Sequence, residues 1–166
     1  MSRAFVKEND MEHAGIDIPE RPISTEVNYI TPNGLKQLKN ILDTLDAERQ
    51  SLMLLDDSMS KQKKMRIERD IRYYASRIKT AILIHPDKQA ENKVLFGALI
   101  ELEDEKGETE SYEIVGEDEA DLALRKISYV SPLAKSVMGN SLGDEVTLIK
   151  PTATVTLTIK NITYNK

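Results

Sequence analysis

The stretch LLDDSMSKQKK, residues 54–64, contains the acidic pair whose residue type and spacing could do chemistry. Asp56 and Asp57 are adjacent, and three lysines follow within a few residues. Paired carboxylates at the end of a helical hairpin can hold a hard divalent cation and orient a water molecule for attack. The same residue types also begin helices and form turns. Both interpretations are open at the level of this stretch.

The rest of the chain offers no other catalytic group. Cysteine is absent, which excludes disulfides and thiolate metal sites, and His13 and His85 are far apart in sequence. No nucleophile–base pair, glycine-rich phosphate loop or zinc-ligand spacing occurs. We therefore predict no catalytic residue, no bound metal and no cofactor, with Asp56 and Asp57 as the sole candidates for a catalytic tip.

Charge is distributed unevenly along the 166 residues, whose net charge is −5. Positions 61–79 contain eight basic residues against two acidic ones, and positions 94–121 contain eleven acidic residues against one lysine. Such separation favours oriented docking on a partner of mixed charge. Arg66, Arg69 and Arg72 form a basic face, which either contacts RNA or another acidic partner or simply lies in solvent. The acidic strip either faces a basic partner or keeps the domain soluble.

The apolar segments are short. The first ten residues lack the apolar core of a signal peptide. Runs such as LMLL and AILI are far below the roughly 20 residues that a membrane-spanning helix needs. We predict a soluble cytoplasmic protein that makes no membrane contact.

The first half of the chain is predicted to be a helical hairpin. Residues 1–28 contain prolines and no periodicity, and are expected to form an extended or disordered arm. Thr31 can cap a helix whose first residue is Pro32. Apolar residues recur at helical spacing on both sides of the polar interruption, which predicts an antiparallel coiled-coil hairpin over residues 29–84. Each arm should be about 20 residues and about 30 Å long. Pro86 is expected to end the second helix, and residues 85–93 to form a linker.

The second half, residues 94–166, is predicted to be a small α+β domain. VLFGALIELE and TESYEIVG flank the turn DEKG and indicate a β-hairpin, and two further strands follow in DEVTLI and ATVTLTIKNITY. SPLAKSVMG predicts a short helix that Ser131 caps, Pro132 begins and Gly139 ends.

The chain contains, in this order, the strings TPNGLKQLKNIL, RDIRYYASRIKTAILIHP, VLFGALIELEDEKG, YEIVGEDEAD and ISYVSPLAKSVMGNSLGDEV. Together they resemble the bacterial GreA/GreB transcript-cleavage factors, and the opening of the chain is similar to the GreB side of that family. The resemblance implies a coiled coil followed by an FKBP-like domain that docks on bacterial RNA polymerase beside its secondary channel. It implies that acidic tip residues assist RNA hydrolysis at the polymerase's own magnesium. The family's docking string matches Ser131, Pro132, Leu133, Ala134 and Lys135.

The tip departs from the family pattern. No counterpart of its acidic motif is present, and the segment between TPNGL and RDIRYY is about fifteen residues shorter, or about 11 Å per arm. A carboxylate must lie within about 2.0–2.6 Å of its cation, so side-chain rotamers cannot make up that difference. Arg125 and Ala153 stand where the family tends to place turn glycines. We expect a monomeric, non-enzymatic factor that modulates transcription elongation with weak or no stimulation of cleavage.

Two other classes of function are compatible with the sequence. An FKBP-like domain suggests a peptidyl-prolyl isomerase, although the domain has few aromatic residues and no evident apolar substrate pocket. A coiled-coil adaptor unrelated to transcription is the other alternative. A proline-isomerisation assay on a short peptide tests the first, and a pull-down with purified polymerase tests the second.

Overall fold

The computed structural model describes residues 18–166, which contain both helices and strands, as the sequence predicts. The α-helices are α1 (Pro32–Ser51), α2 (Ser58–Thr80) and α3 (Pro132–Val137). The strands are β1 (Tyr29–Ile30), β2 (Ile82–Leu83), β3 (Ala98–Glu103), β4 (Thr109–Val115), β5 (Lys126–Ser128), β6 (Glu145–Ile149) and β7 (Thr154–Tyr164). No helix within this part of the chain has the length and apolarity needed to cross a membrane. Most of the predicted N-terminal arm, residues 1–17, lies outside the described residues.

The chain divides into two compact units. The helical unit contains Asn40–Arg77 and the described residues up to Ser24, and the sheet unit contains Thr25–Lys39 and Ile78–Lys166. Helices α1 and α2 therefore begin or end in the sheet unit and run into the helical unit.

The sheet unit is built on five strands in the order β5-β4-β3-β7-β6. All neighbours pair antiparallel except β4 and β5, which are parallel. A register shift between Glu101 and Leu102 interrupts the pairing of β3 with β7, and such a bulge increases the local twist of a sheet. One face of the sheet and the inner side of α3 enclose the core, whose buried members are Val94, Ala98, Ile100, Leu102, Ile114, Ile127, Ala134, Val137, Val146, Ile159 and Ile162.

The predicted turn between β3 and β4 is present. Asp104 Oδ1 accepts hydrogen bonds of 2.9 Å from the backbone N–H groups of Lys106 and Glu108. Gly107 has a φ of +82°, in the left-handed region that glycine tolerates. The sequence DEKG therefore closes this hairpin as expected.

The start of α1 is capped twice. Thr31 Oγ1 accepts a 3.0 Å hydrogen bond from the Gly34 N–H, which confirms the predicted cap. The buried carboxylate of Glu119 accepts hydrogen bonds from the Thr31 N–H, the Thr31 hydroxyl and the Gly116 N–H. Gly34 leaves the room for this carboxylate, since a Cβ there would lie 2.0 Å from Glu119 Cδ. One carboxylate of the acidic strip, that of Glu119, therefore has a structural role, because it links the start of α1 to the loop at Gly116.

The end of the second helix differs from the prediction. Helix α2 ends at Thr80, well before Pro86, and Ile82–Leu83 form a strand that runs parallel to β1. The Ile82 N–H donates to Asn28 O at 2.8 Å, and the Ile84 N–H donates to Ile30 O at 2.9 Å. These backbone bonds to a distant segment explain why the helix ends before Pro86, where the sequence predicts its end.

The helical unit contains most of α1 and α2 and the six residues between them. The helices have 20 and 23 residues, close to the predicted length. A 2.9 Å ion pair joins Glu48 of α1 to Lys63 of α2. Ile67 is buried and Ile41 is exposed. The other residues of this unit that recur at the predicted helical spacing are half-buried, namely Leu42, Leu45, Leu52, Ile71 and Tyr74. Two helices by themselves bury only a narrow stripe, which accounts for this partial burial.

Candidate functional site

The loop between α1 and α2 positions Asp56 and Asp57, but uses them differently. Asp57 caps α2: its Oδ1 accepts a 2.9 Å hydrogen bond from the Ser60 N–H, and its Oδ2 accepts one of 2.6 Å from the Ser60 hydroxyl. These bonds hold the pKa of Asp57 below its usual value. Asp56 is 91% exposed and pairs with Lys61 at 3.1 Å. One carboxylate is therefore committed to the helix start and the other to a surface ion pair.

Within residues 18–166, Asp56 and Asp57 belong to no group of three or more histidine and acidic side chains that comes close enough to share an ion. Apolar side chains are exposed beside these carboxylates: Leu54 is 97% exposed in the loop, and Met53 and Met59 are also exposed. The apolar run SLMLL, residues 51–55, is the sequence signal for this apolar loop. The same run is also compatible with the end of a helix.

The second candidate, helix α3, divides its residues between structure and surface. Ser131 Oγ accepts a 3.3 Å hydrogen bond from the Ala134 N–H, and Ala134 is fully buried. Pro132 and Lys135 are exposed, and Leu133 is half-buried. Gly139, with a φ of +84°, follows the helix. Of the five predicted docking residues, only Pro132, Leu133 and Lys135 thus offer side chains to a partner.

A cavity of about 250 Å³ lies beside Leu133 in the sheet unit. Its lining is partly apolar and partly charged. Its apolar lining is formed by Leu102, Tyr112, Leu133, Leu148, Val155 and Leu157. Its charged lining is formed by Asp104, Glu108, Glu110 and Lys150. The sequence gives little sign of the cavity, because its residues come from four strands, a turn and a helix.

The charged lining of this cavity is predominantly acidic. The Tyr112 hydroxyl donates a 2.5 Å hydrogen bond to Glu110, which holds the pKa of Glu110 below its usual value. Burial raises the pKa of Tyr112, and the neighbouring Glu110 carboxylate adds to that rise. Glu110 is therefore ionised and Tyr112 neutral near pH 7. The cavity offers an apolar floor with an anionic rim, which suits an apolar side chain next to a cationic one.

The predicted basic face lies on α2, and much of its charge is paired. Arg72 forms an ion pair of 2.5 Å with Glu20, and Arg69 donates two 3.1 Å hydrogen bonds to Asp70. Arg66 is exposed. Because successive arginines are three residues apart, each is a neighbour of the next, and the three form a slanted stripe that turns through about 120° around the helix axis. The sequence identifies the stripe but not its pairing with the N-terminal segment.

Comparison with known proteins gives a consistent result. Residues 89–164 match the family described as the C-terminal domain of transcription elongation factor GreA/GreB. The chain is 34% identical over 161 residues to transcription elongation factor GreB of Neisseria meningitidis serogroup B, covering 87% of this chain and 99% of the relative. It is 39% identical over 106 residues to GreB of Haemophilus influenzae, covering 64% of this chain and 67% of the relative.

Solved structures give a looser likeness. GreA factor homolog 1 of Thermus thermophilus superposes with a TM-score of 0.40 at 26% identity, over 81% of this chain and 97% of that one. A GreA/GreB factor from Nitrosomonas europaea superposes with a TM-score of 0.42 at 20% identity, over 82% and 98%.

Proposed function

The chain belongs to the GreA/GreB family of transcription elongation factors, and from this premise we propose that it binds bacterial RNA polymerase near the secondary channel and modulates elongation. We propose further that it stimulates transcript cleavage weakly or not at all. It acts as a monomeric, non-enzymatic factor in the cytoplasm, where its partner works. The observation that carries the proposal is exposed Pro132 next to half-buried Leu133, which lines an acid-rimmed cavity, on the string that resembles the family's docking element.

Docking through α3 is supported by its chemistry. Pro132 is rigid and exposed, and the neighbouring Leu133 forms part of the cavity wall, so a partner side chain that fills the cavity contacts Leu133. A few side chains that fill well-packed, desolvated pockets contribute most of the free energy of many interfaces. The anionic rim formed by Asp104, Glu108 and Glu110 favours a partner surface with basic residues around an apolar anchor.

Weak stimulation of cleavage is supported by the loop between the helices. Asp57 is engaged in capping, Asp56 forms an exposed ion pair with Lys61, and Met53 and Leu54 expose apolar side chains next to them. Sequence length points the same way. The alignment to the Neisseria relative has 161 positions but covers only about 144 of the 166 residues of this chain, so about 17 positions of that relative have no counterpart here.

The fold details implied by the family form part of the proposal. Residues 29–84 would form an antiparallel coiled coil at whose end the loop lies, and residues 94–166 an FKBP-like domain joined by the linker 85–93. The Glu48–Lys63 pair and the mixed five-stranded sheet with its short helix support this arrangement.

The tip proposal predicts that two substitutions have little effect. Changing Asp56 and Asp57 together to Asn removes both charges, yet the rate of RNA cleavage in a backtracked complex should change less than about twofold. A metal-holding tip would lose about 3 kcal/mol of transition-state stabilisation, or roughly two orders of magnitude in rate. If the wild type stimulates cleavage strongly and the double variant does not, Asp56 and Asp57 form a catalytic tip and the proposal is wrong. Thermal unfolding of both proteins controls for loss of the Asp57 cap.

The basic face is proposed to contact RNA or the acidic wall of the channel. Reversing Arg66 and Arg69 to Glu should weaken binding to the elongation complex most at low ionic strength, because exposed charges are screened by salt. The matched control reverses Lys36 and Lys39, which are exposed on α1. If both variants lose the same affinity for the elongation complex across a salt titration, Arg66 and Arg69 make no specific contact and are simply solvent-exposed.

Peptidyl-prolyl isomerase activity is a second candidate function, because the cavity could bind a proline side chain. Its apolar floor can accept a proline ring, while its anionic rim is unfavourable for a neutral peptide. Catalysed isomerisation of a short proline peptide that is lost in Leu133→Asp would favour the enzyme. The absence of catalysis by a folded, polymerase-binding protein would exclude it.

A further inference from the structure

The segment of residues 18–23 lies against α2 in the helical unit. Glu20 accepts hydrogen bonds from Arg72 Nε at 3.1 Å and from Arg72 Nη2 at 2.5 Å, one on each carboxylate oxygen. The guanidinium carbon of Arg21 lies 3.8 Å from the ring centre of Tyr73, and Arg21 Nη1 lies 3.6 Å from Asp70 Oδ1. We call residues 18–23 the strap.

The two contacts that the strap makes with α2 resemble the contacts that a bound nucleotide would make through its phosphate and its base. A carboxylate held by two N–H groups of one arginine occupies the geometry in which arginine also binds a phosphate. A planar group lying over a tyrosine ring occupies the place in which a base stacks on an aromatic side chain. Glu20 and Arg21 are adjacent, as the phosphate and the base of one nucleotide are.

We propose that the strap occupies a binding surface for single-stranded RNA on α2, with Glu20 in the place of a phosphate and Arg21 in the place of a base. RNA and the strap compete for Arg72 and Tyr73, so the strap regulates the basic face that the proposed function assigns to RNA. The inference rests on that part of the proposed function, and not on docking through α3.

The contacts of the strap are suited to exchange. The side chains of Glu20 and Arg72 are 62% and 56% exposed, so their ion pair is screened by solvent and salt. A polyanion carries several phosphates and gains additional contacts with Arg66 and Arg69 along the same stripe. Half-buried Asp70 keeps its two hydrogen bonds from Arg69 when Arg21 leaves, so its charge remains neutralised.

The test is a variant that opens the strap without changing the net charge. Glu20→Gln together with Arg21→Ala removes one negative and one positive charge. Binding of a fluorescently labelled single-stranded RNA dodecamer to the full chain is measured by anisotropy at low and at physiological salt. We expect this variant to bind at least about fivefold more tightly than wild type, since the site no longer has to release the strap. Adding Arg72→Ala should abolish the gain.

A matched control carries Asp43→Asn with Lys39→Ala, which also keeps the net charge and changes two exposed residues of α1. The proposal is overturned if the strap variant binds no more tightly than this control, or if no variant binds RNA at all. Polymerase binding measured in parallel distinguishes the failures, because docking through α3 does not involve the strap.

A second readout uses the wild-type chain. Saturating RNA should accelerate cleavage after Glu20 by endoproteinase Glu-C, because a displaced strap is accessible to the protease. Unchanged cleavage in the presence of bound RNA would show that RNA binds elsewhere, which contradicts the proposal.

Discussion

Pro132→Ala combined with Leu133→Asp should weaken binding to bacterial RNA polymerase by about 30- to 100-fold, equivalent to about 2–3 kcal/mol. The double change removes the rigid exposed ring and places a carboxylate on the wall of a cavity whose rim is already anionic. Burying that charge in an interface without a partner is costly. The measurement is competition with a labelled GreB-type factor for the polymerase.

The control for this variant is Leu142→Asp, which adds the same charge at an exposed leucine of the same unit that does not line the cavity. It should bind as wild type does. Leu133 also packs against the core, so the thermal unfolding of the double variant must be measured. A folded double variant with unchanged affinity would show that α3 is not the docking element.

Gly34→Ala should lower the free energy of unfolding by about 3 kcal/mol, although alanine normally stabilises a helix by about 1 kcal/mol relative to glycine. The added Cβ would lie 2.0 Å from Glu119 Cδ, in a site where Glu119 is only 6% exposed. The carboxylate must move, and up to three buried donors from Thr31 and Gly116 then lose their acceptor. The midpoint of thermal unfolding should fall by about 10 °C.

The matched control is Asn33→Ala, at an exposed position of the same helical turn. It should change stability by less than about 0.7 kcal/mol. An increase in stability for Gly34→Ala would mean that Glu119 does not fill this space, and the double cap of α1 would then be wrong.

Local signals in the sequence were sufficient for much of the fold. Thr31 and Pro32 mark the start of α1, Ser131 and Pro132 mark the start of α3, and the turn at Gly107 joins β3 to β4. Each of these features depends on residues within a few positions of one another. Even the position of Arg125, where the resemblance suggests a turn glycine, has the left-handed φ of +56° that such a turn requires.

Features that join distant segments were not predictable in this way. Glu119 is one acid in an acidic run, and nothing local marks it as the cap of a helix 88 positions earlier. The pairing of Ile82–Leu83 with β1 ends α2 before Pro86, and no local signal marks Ile82 and Leu83 as partners of a segment about 50 positions earlier. The contact of Glu20 with Arg72 spans 52 positions. Charge patterns alone show that these residues are polar, but not which partner each one has.

The most direct test of the proposed function is a competition for transcript cleavage. The chain is titrated into a backtracked elongation complex that contains a fixed amount of a GreB-type cleavage factor, and the rate of RNA cleavage is measured. A factor that docks at the same place with an inactive tip should lower the rate progressively to that of the polymerase alone. A rate that stays constant at saturating chain would contradict docking at the shared site, and a rate that rises would contradict the inactive tip.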